Sequence, residues 1–191
     1  PVRSDYNLDS HGKPKLIIVC ESPSKTEVEL GIPTAGSTGD RMRSAIRSMM
    51  RIKKRLPRSE LAEKGYYITN LIQWRTDAGL NTQEEDFRSL VDERLSAAWN
   101  IGRVRDEILT ELERLHQLHG DVPVLFSCGK ADCLADFVKD ITDSPSFKFS
   151  KWILASHPSR WTKTHHPLVL PQEWYCMCRV RHHAIYSASA N

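Results

Sequence analysis

Lys15-Leu16-Ile17-Ile18-Val19-Cys20 runs directly into Glu21-Ser22-Pro23-Ser24, and this stretch decides the fold. The first part is nearly continuously apolar, which predicts a strand buried on both faces, since a strand with one wet face would alternate. Pro23 has no N–H to offer a ladder, so regular pairing must stop there. A core strand therefore ends on a carboxylate and a hydroxyl.

Outward from this point the chain alternates strand and helix signals, without repeats or low-complexity tracts. A loop is expected through Gly31, Pro33, Gly36 and Gly39. A helix is then expected from near Asp40, with Met42, Ile46 and Met49 or Met50 on one side and arginines on the other. Tyr66 to Ile72, rich in aromatic and β-branched residues, reads as the second strand. Asn81 or Thr82 is placed to cap a helix running to about Asn100, and a further helix is expected over Val104 to Leu118. Val122 to Ser127 reads as a third strand, turned into another helix by Cys128-Gly129-Lys130. Lys151 to Ala155 reads as a fourth, ending at Ser156-His157-Pro158-Ser159. Beyond Pro171 the pattern selects neither helix nor strand.

Strands separated by helices predict an α/β fold: one three-layer domain over 1–191, with a central, mainly parallel four-stranded sheet and helices on both faces. In such sheets ligands bind beyond the carboxyl ends of the strands. Glu21, Asn70, Gly129 and His157 all fall at or just past such ends, so residues distant in sequence are expected to meet.

Composition bounds the partners. With 40% hydrophobic and 27% charged residues the chain reads as globular, and no apolar run approaches membrane-span length. No signal-like segment opens the sequence, so a cytosolic location and no membrane partner are expected. A net charge of +3 identifies nothing by itself. The cluster Arg41, Arg43, Arg47, Arg51, Lys53, Lys54, Arg55 and Arg58 suits either phosphate neutralisation or a solvated helix face. The odd count of 5 cysteines argues against a disulfide framework. Cys176, Cys178, His182 and His183 match no standard zinc spacing, so no metal is expected.

At the strand ends the motifs resemble a known family. Cys20-Glu21-Ser22-Pro23-Ser24, followed by Gly31-Ile32-Pro33-Thr34-Ala35-Gly36-Ser37-Thr38-Gly39, looks like the first motif of the uracil-DNA glycosylase superfamily. The pattern is similar to that of its thermophilic iron–sulphur branch. Tyr67-Ile68-Thr69-Asn70-Leu71 resembles that branch's next strand, and His157-Pro158-Ser159 its last motif.

The resemblance implies a monomeric enzyme that binds DNA and breaks an N-glycosidic bond, leaving an abasic site. Glu21 is then expected to orient the attacking water and stabilise the cationic sugar, and His157 to donate a hydrogen bond to the departing base. Asn70, carrying a donor and an acceptor, is expected to read a pyrimidine edge, with Ser22, Ser24 and Thr34 around the base. Base flipping needs a wedge and a phosphate grip. These fall to Ser159, Arg160, Trp161 and Lys163, with Gly36, Ser37, Arg41 and Lys130, and His165 and His166 nearby. No lysine stands at a Schiff-base position, although Lys25 lies close to the first motif.

Three departures refine this. Trp74 replaces a cluster cysteine and no cysteine pair precedes the first strand, so no iron–sulphur cluster or other cofactor is expected. Thr34 replaces the aromatic that stacks on uracil, a contact of ~1–3 kcal/mol. Ser24 is small where some relatives block the pyrimidine 5-position. Both changes favour a bulkier base, such as the hypermodified cytosine of phage DNA, which would tie the chain to antiviral defence. A binding module for modified DNA, repair of plain uracil, and an enzyme on free nucleotides are the competing readings.

Overall fold

The computed structural model describes residues 14, 16–31, 33–42, 44, 66–128, 132–155, 157 and 158. Four strands, β1 (Leu16–Cys20), β2 (Tyr66–Asn70), β3 (Val124–Phe126) and β4 (Trp152–Leu154), form one sheet in the order β2-β1-β3-β4. Every pairing is parallel, and Cys20 lies opposite Asn70. β1 is buried along its whole length because it is central, which is why its sequence shows no alternation.

Four helices have described bounds: α1 (Lys25–Leu30), α2 (Phe87–Trp99), α3 (Gly102–His119) and α4 (Asp132–Thr142). The chain is also helical over 37–42. Ile17, Val19, Val124, Phe126, Trp152 and Leu154 form one core with Val91, Leu95 and Trp99 of α2, Ile108, Leu112 and Leu115 of α3, and Leu134 and Phe137 of α4. The alternate residues Ile18, Ile68, Leu125 and Ile153 are buried as well, as is Met42. Parallel crossovers are right-handed. The order β2-β1-β3-β4 therefore puts α1 and the 37–42 helix, which lie between β1 and β2, on the sheet face opposite α2, α3 and α4, giving the expected three layers.

The differences from expectation are local. The loop expected through residue 31 contains α1. Its N-cap Ser24 and Glu27 form a capping box, and Gly31 closes it at φ 67°. The next helix begins at 37 rather than near Asp40, and the Asp40 N–H bonds to the Gly36 carbonyl. Asn81 does not cap α2: its side chain takes the Gln83 N–H in a local turn, and the helix starts only at Phe87. β2 stops at Asn70, after which the Leu71 and Ile72 N–H groups still bond to the Cys20 and Glu21 carbonyls.

Candidate functional site

The carboxyl ends of the strands open onto a hollow of about 360 Å³, a size that suits a small ligand. Its wall includes Glu21 and Ser22 from the end of β1, Ser24 from the cap of α1, Gly36 and Ser37, and His157 from beyond β4. Segments remote in sequence thus meet because parallel strands all end on the same side.

Glu21 is only 7% exposed, yet it is not isolated. Arg88 of α2 grips it with both nitrogens, Nη1 donating to Oε1 at 3.0 Å and Nη2 to Oε2 at 3.4 Å. Asp92, one turn on, holds the same guanidinium at 2.7 Å. Burial disfavours charge on Arg88, but Glu21 and Asp92 outweigh it and raise the arginine pKa. Each carboxylate oxygen has two acceptor sites and Arg88 takes one, so Glu21 retains capacity for a water.

Ser22 Oγ lies 3.0 Å from Thr76 Oγ1, which fixes the lip after β1. Glu27, itself buried, accepts the Ser24 N–H at 2.8 Å and also the Thr34 N–H. Thr34 needs that anchor. It is a β-branched residue at φ 55°, a conformation costing on the order of 1–3 kcal/mol. Glu27 therefore ties the cap of α1 to the 33–36 segment that forms one side of the cleft.

Asn70 and Thr34 are buried and are not on the cleft wall. Asn70 Nδ2 has no hydrogen-bond partner among the described residues. Its backbone is held from behind: Gln73 Nε2 donates to the Asn70 carbonyl and Thr69 Oγ1 at 2.9 Å and to Glu111 at 3.2 Å, while Tyr67 donates to Glu111 at 2.6 Å. Arg41 is exposed and does not line the cleft. Lys25 is directed to Glu29 at 3.7 Å and is likewise off the wall. Gly129, Lys130, Ser159, Arg160, Trp161, Lys163, His165, His166 and Arg43 lie outside the described residues, as do Arg47 to Arg58 and everything after Pro158.

Thr76, Asp77, Phe87 and Arg88 join the wall without having been anticipated. Arg88 occupies a helix of ordinary composition, and only the fold brings it to Glu21. Two of the described cysteines, Cys20 and Cys128, are buried, and Cys133 is partly so. Burial pushes the Cys20 thiol far up, reinforced by the charges of Glu27 and Glu21, and burial raises Cys128 likewise. Cys20 and Cys128 are core residues, and Trp74 stands exposed after β2.

Residues 9–170 match the family model described as Uracil DNA glycosylase superfamily. The chain belongs to the uracil-DNA glycosylase superfamily. Membership makes it a DNA glycosylase by class, a hydrolase of N-glycosyl bonds that acts on DNA. No curated protein matches the chain. Among the described residues no helix is long and apolar enough to cross a membrane.

Proposed function

We propose that this superfamily member is a monofunctional glycosylase that flips out and hydrolyses a pyrimidine bulkier than uracil, working as a single-domain monomer. The observation that supports it is Glu21 and His157 on the wall of one cleft. As the C1′–N bond breaks, its electron pair leaves with the base and positive charge grows on the sugar. Glu21 stabilises that charge and orients a water, whose oxygen bonds C1′ while its proton passes to the carboxylate. His157 donates a hydrogen bond to the departing base oxygen. The Asn70 amide nitrogen, buried behind the cleft wall and without a hydrogen-bond partner among the described residues, suits a base carbonyl. Ser22 and Ser24 line the space around the base, Thr34 supports the 33–36 turn from behind the wall, and small Ser24 leaves room at the pyrimidine 5-position. Gly36, Ser37, Arg41, Lys130, Ser159, Arg160, Trp161 and Lys163 are assigned to DNA. Lys25, turned to Glu29, favours hydrolysis over a lyase step. Hypermodified cytosine in phage DNA, met in a prokaryotic or phage-infected cytosol, is the substrate class that fits.

A second reading rests on the Arg88 grip, which engages both Glu21 oxygens and would suit a module that recognises modified DNA without turnover. The experiment is incubation with oligonucleotides bearing uracil, mismatched thymine, hypoxanthine, 5-hydroxymethyl and glucosylated pyrimidines, scored for alkali-labile sites. Glu21→Gln or His157→Ala is expected to lower excision by on the order of 10²–10⁴-fold while binding stays within a few-fold. If no substrate yields an abasic site, the enzyme reading fails and the module reading stands. Equal or better excision of plain uracil removes the bulky-base refinement alone.

A further inference from the structure

A second hollow, of about 540 Å³, lies beside the cleft. It is lined by Trp74, Ile101, Arg75, Arg94 and Arg103 among others, and Thr76 lines both hollows. Trp74 is 49% exposed and Ile101 59%, so both present apolar surface to solvent within this hollow. Arg94 Nη1 donates to the Thr76 and Ala78 carbonyls at 3.3 and 2.6 Å, and no carboxylate neutralises it among the described residues. Arg103 is 82% exposed, and its contact with Glu107 at 3.1 Å is a weak surface pair. Arg75 pairs with Asp77, so this ion pair spans from the groove to the cleft wall. The groove therefore combines an exposed indole with an excess of guanidinium charge, and it adjoins the cleft at Thr76.

We propose that this groove is a subsite for the DNA strand flanking the target nucleotide. An unpaired base stacks on Trp74 and the adjoining phosphate lies against Arg103 and Arg94. An indole face accepts any base, so this contact adds affinity without reading sequence. The assignment rests on the glycosylase reading only in taking the cleft as the place where the strand enters.

The test uses the full chain and oligonucleotides carrying an abasic-site analogue, with flanks lengthened one nucleotide at a time on each side. Wild-type affinity is expected to rise in a step as one flank reaches the groove, and then to level off. Trp74→Ala should abolish the step, weakening long-flank binding by roughly 5- to 150-fold, the size of one base–aromatic stack. Shortest-flank binding and the thermal midpoint should stay unchanged, and Trp74→Phe should keep most of the step. Arg103→Ala should reduce the slope of log affinity against log salt by about one phosphate contact. The proposal is overturned if Trp74→Ala binds every length as wild type does, or weakens every length equally with a lowered midpoint. A flank step in a protein that excises no base would sink the glycosylase reading and leave the groove standing. Excision without a flank step would do the reverse.

Discussion

Arg88 carries the sharpest consequence at the scale of single residues. Without it, Glu21 loses the guanidinium that engages both of its oxygens, and removing one partner of a buried pair is destabilising. Arg88→Ala should therefore lower both kcat/KM and the urea unfolding midpoint, with Arg88→Lys intermediate. A lowered midpoint with unchanged kcat/KM would mean that the ion pair serves only to hold α2. Glu27 makes a separate prediction, because it accepts N–H groups from both Ser24 and Thr34. Glu27→Ala orphans both donors and releases a strained Thr34, so denaturant unfolding should show a loss of about 1–3 kcal/mol. Excision should fall with it, since the 33–36 segment borders the cleft. The carboxylate at position 21 could be picked out from the chain alone because a proline follows a buried run. Arg88 could not, because nothing in Phe87-Arg88-Ser89-Leu90 distinguishes it from any surface arginine.

At the scale of elements, helix packing and strand anchoring can be tested separately. The Trp99 ring of α2 stacks on Phe137 of α4 at 4.5 Å, and its Nε1 donates to Asp140 at 3.1 Å. Trp99→Phe keeps the stack and loses the hydrogen bond, a cost of about 0.5–1.5 kcal/mol. Trp99→Ala loses both and should cost about 3–5 kcal/mol in urea unfolding. Asp121, before β3, accepts the Ser150 N–H at 2.8 Å and also the Ser150 hydroxyl, joining the approaches to β3 and β4. Burial would raise the Asp121 pKa, but the Ser150 hydrogen bonds outweigh it and hold the carboxyl below its ordinary value. A depressed folded-state pKa gives stability that is complete above the unfolded value near 3.9 and is lost as pH falls through the folded value. The urea midpoints of wild type and Asp121→Asn should accordingly differ at pH 7 and converge toward pH 2. The helix boundaries teach a related point. Asn81 has the residue type of an N-cap, but its short-range turn with Gln83 competes successfully, so a cap signal without its helix is ambiguous.

For the whole molecule, DNA binding should weaken steeply with salt, with log affinity falling by about 0.9 per contacted phosphate for each unit of log salt. A salt-independent affinity would argue for an enzyme on free nucleotides, which has no use for the basic cluster from Arg41 onward. The architecture explains why so much of the site was foreseeable. In a parallel sheet every strand delivers its carboxyl end to the same edge, so locating β1 and β4 also places Glu21 and His157 together. Gly36 and Ser37 follow, because the first motif must turn back over that edge. Asn70 was also placed correctly at a strand end, yet its side chain is packed away from the wall, since burial depends on neighbours the strand pattern does not name.

The four strands, the parallel sheet, the polar residues at its carboxyl ends and the family motifs were legible in the chain, whereas α1 was not. The legible features follow from local chemistry: apolar runs, a proline stop and turn residues. Only the tertiary structure decided that Arg88 grips Glu21, that Glu27 anchors Thr34 and that Trp74 faces a basic groove beside the cleft. Those contacts join segments dozens of residues apart, and their partners are set by how helices dock on the sheet. The motif that opened the reading thus supplies the carboxylate, while the helix packed over it supplies the cation that pairs with it.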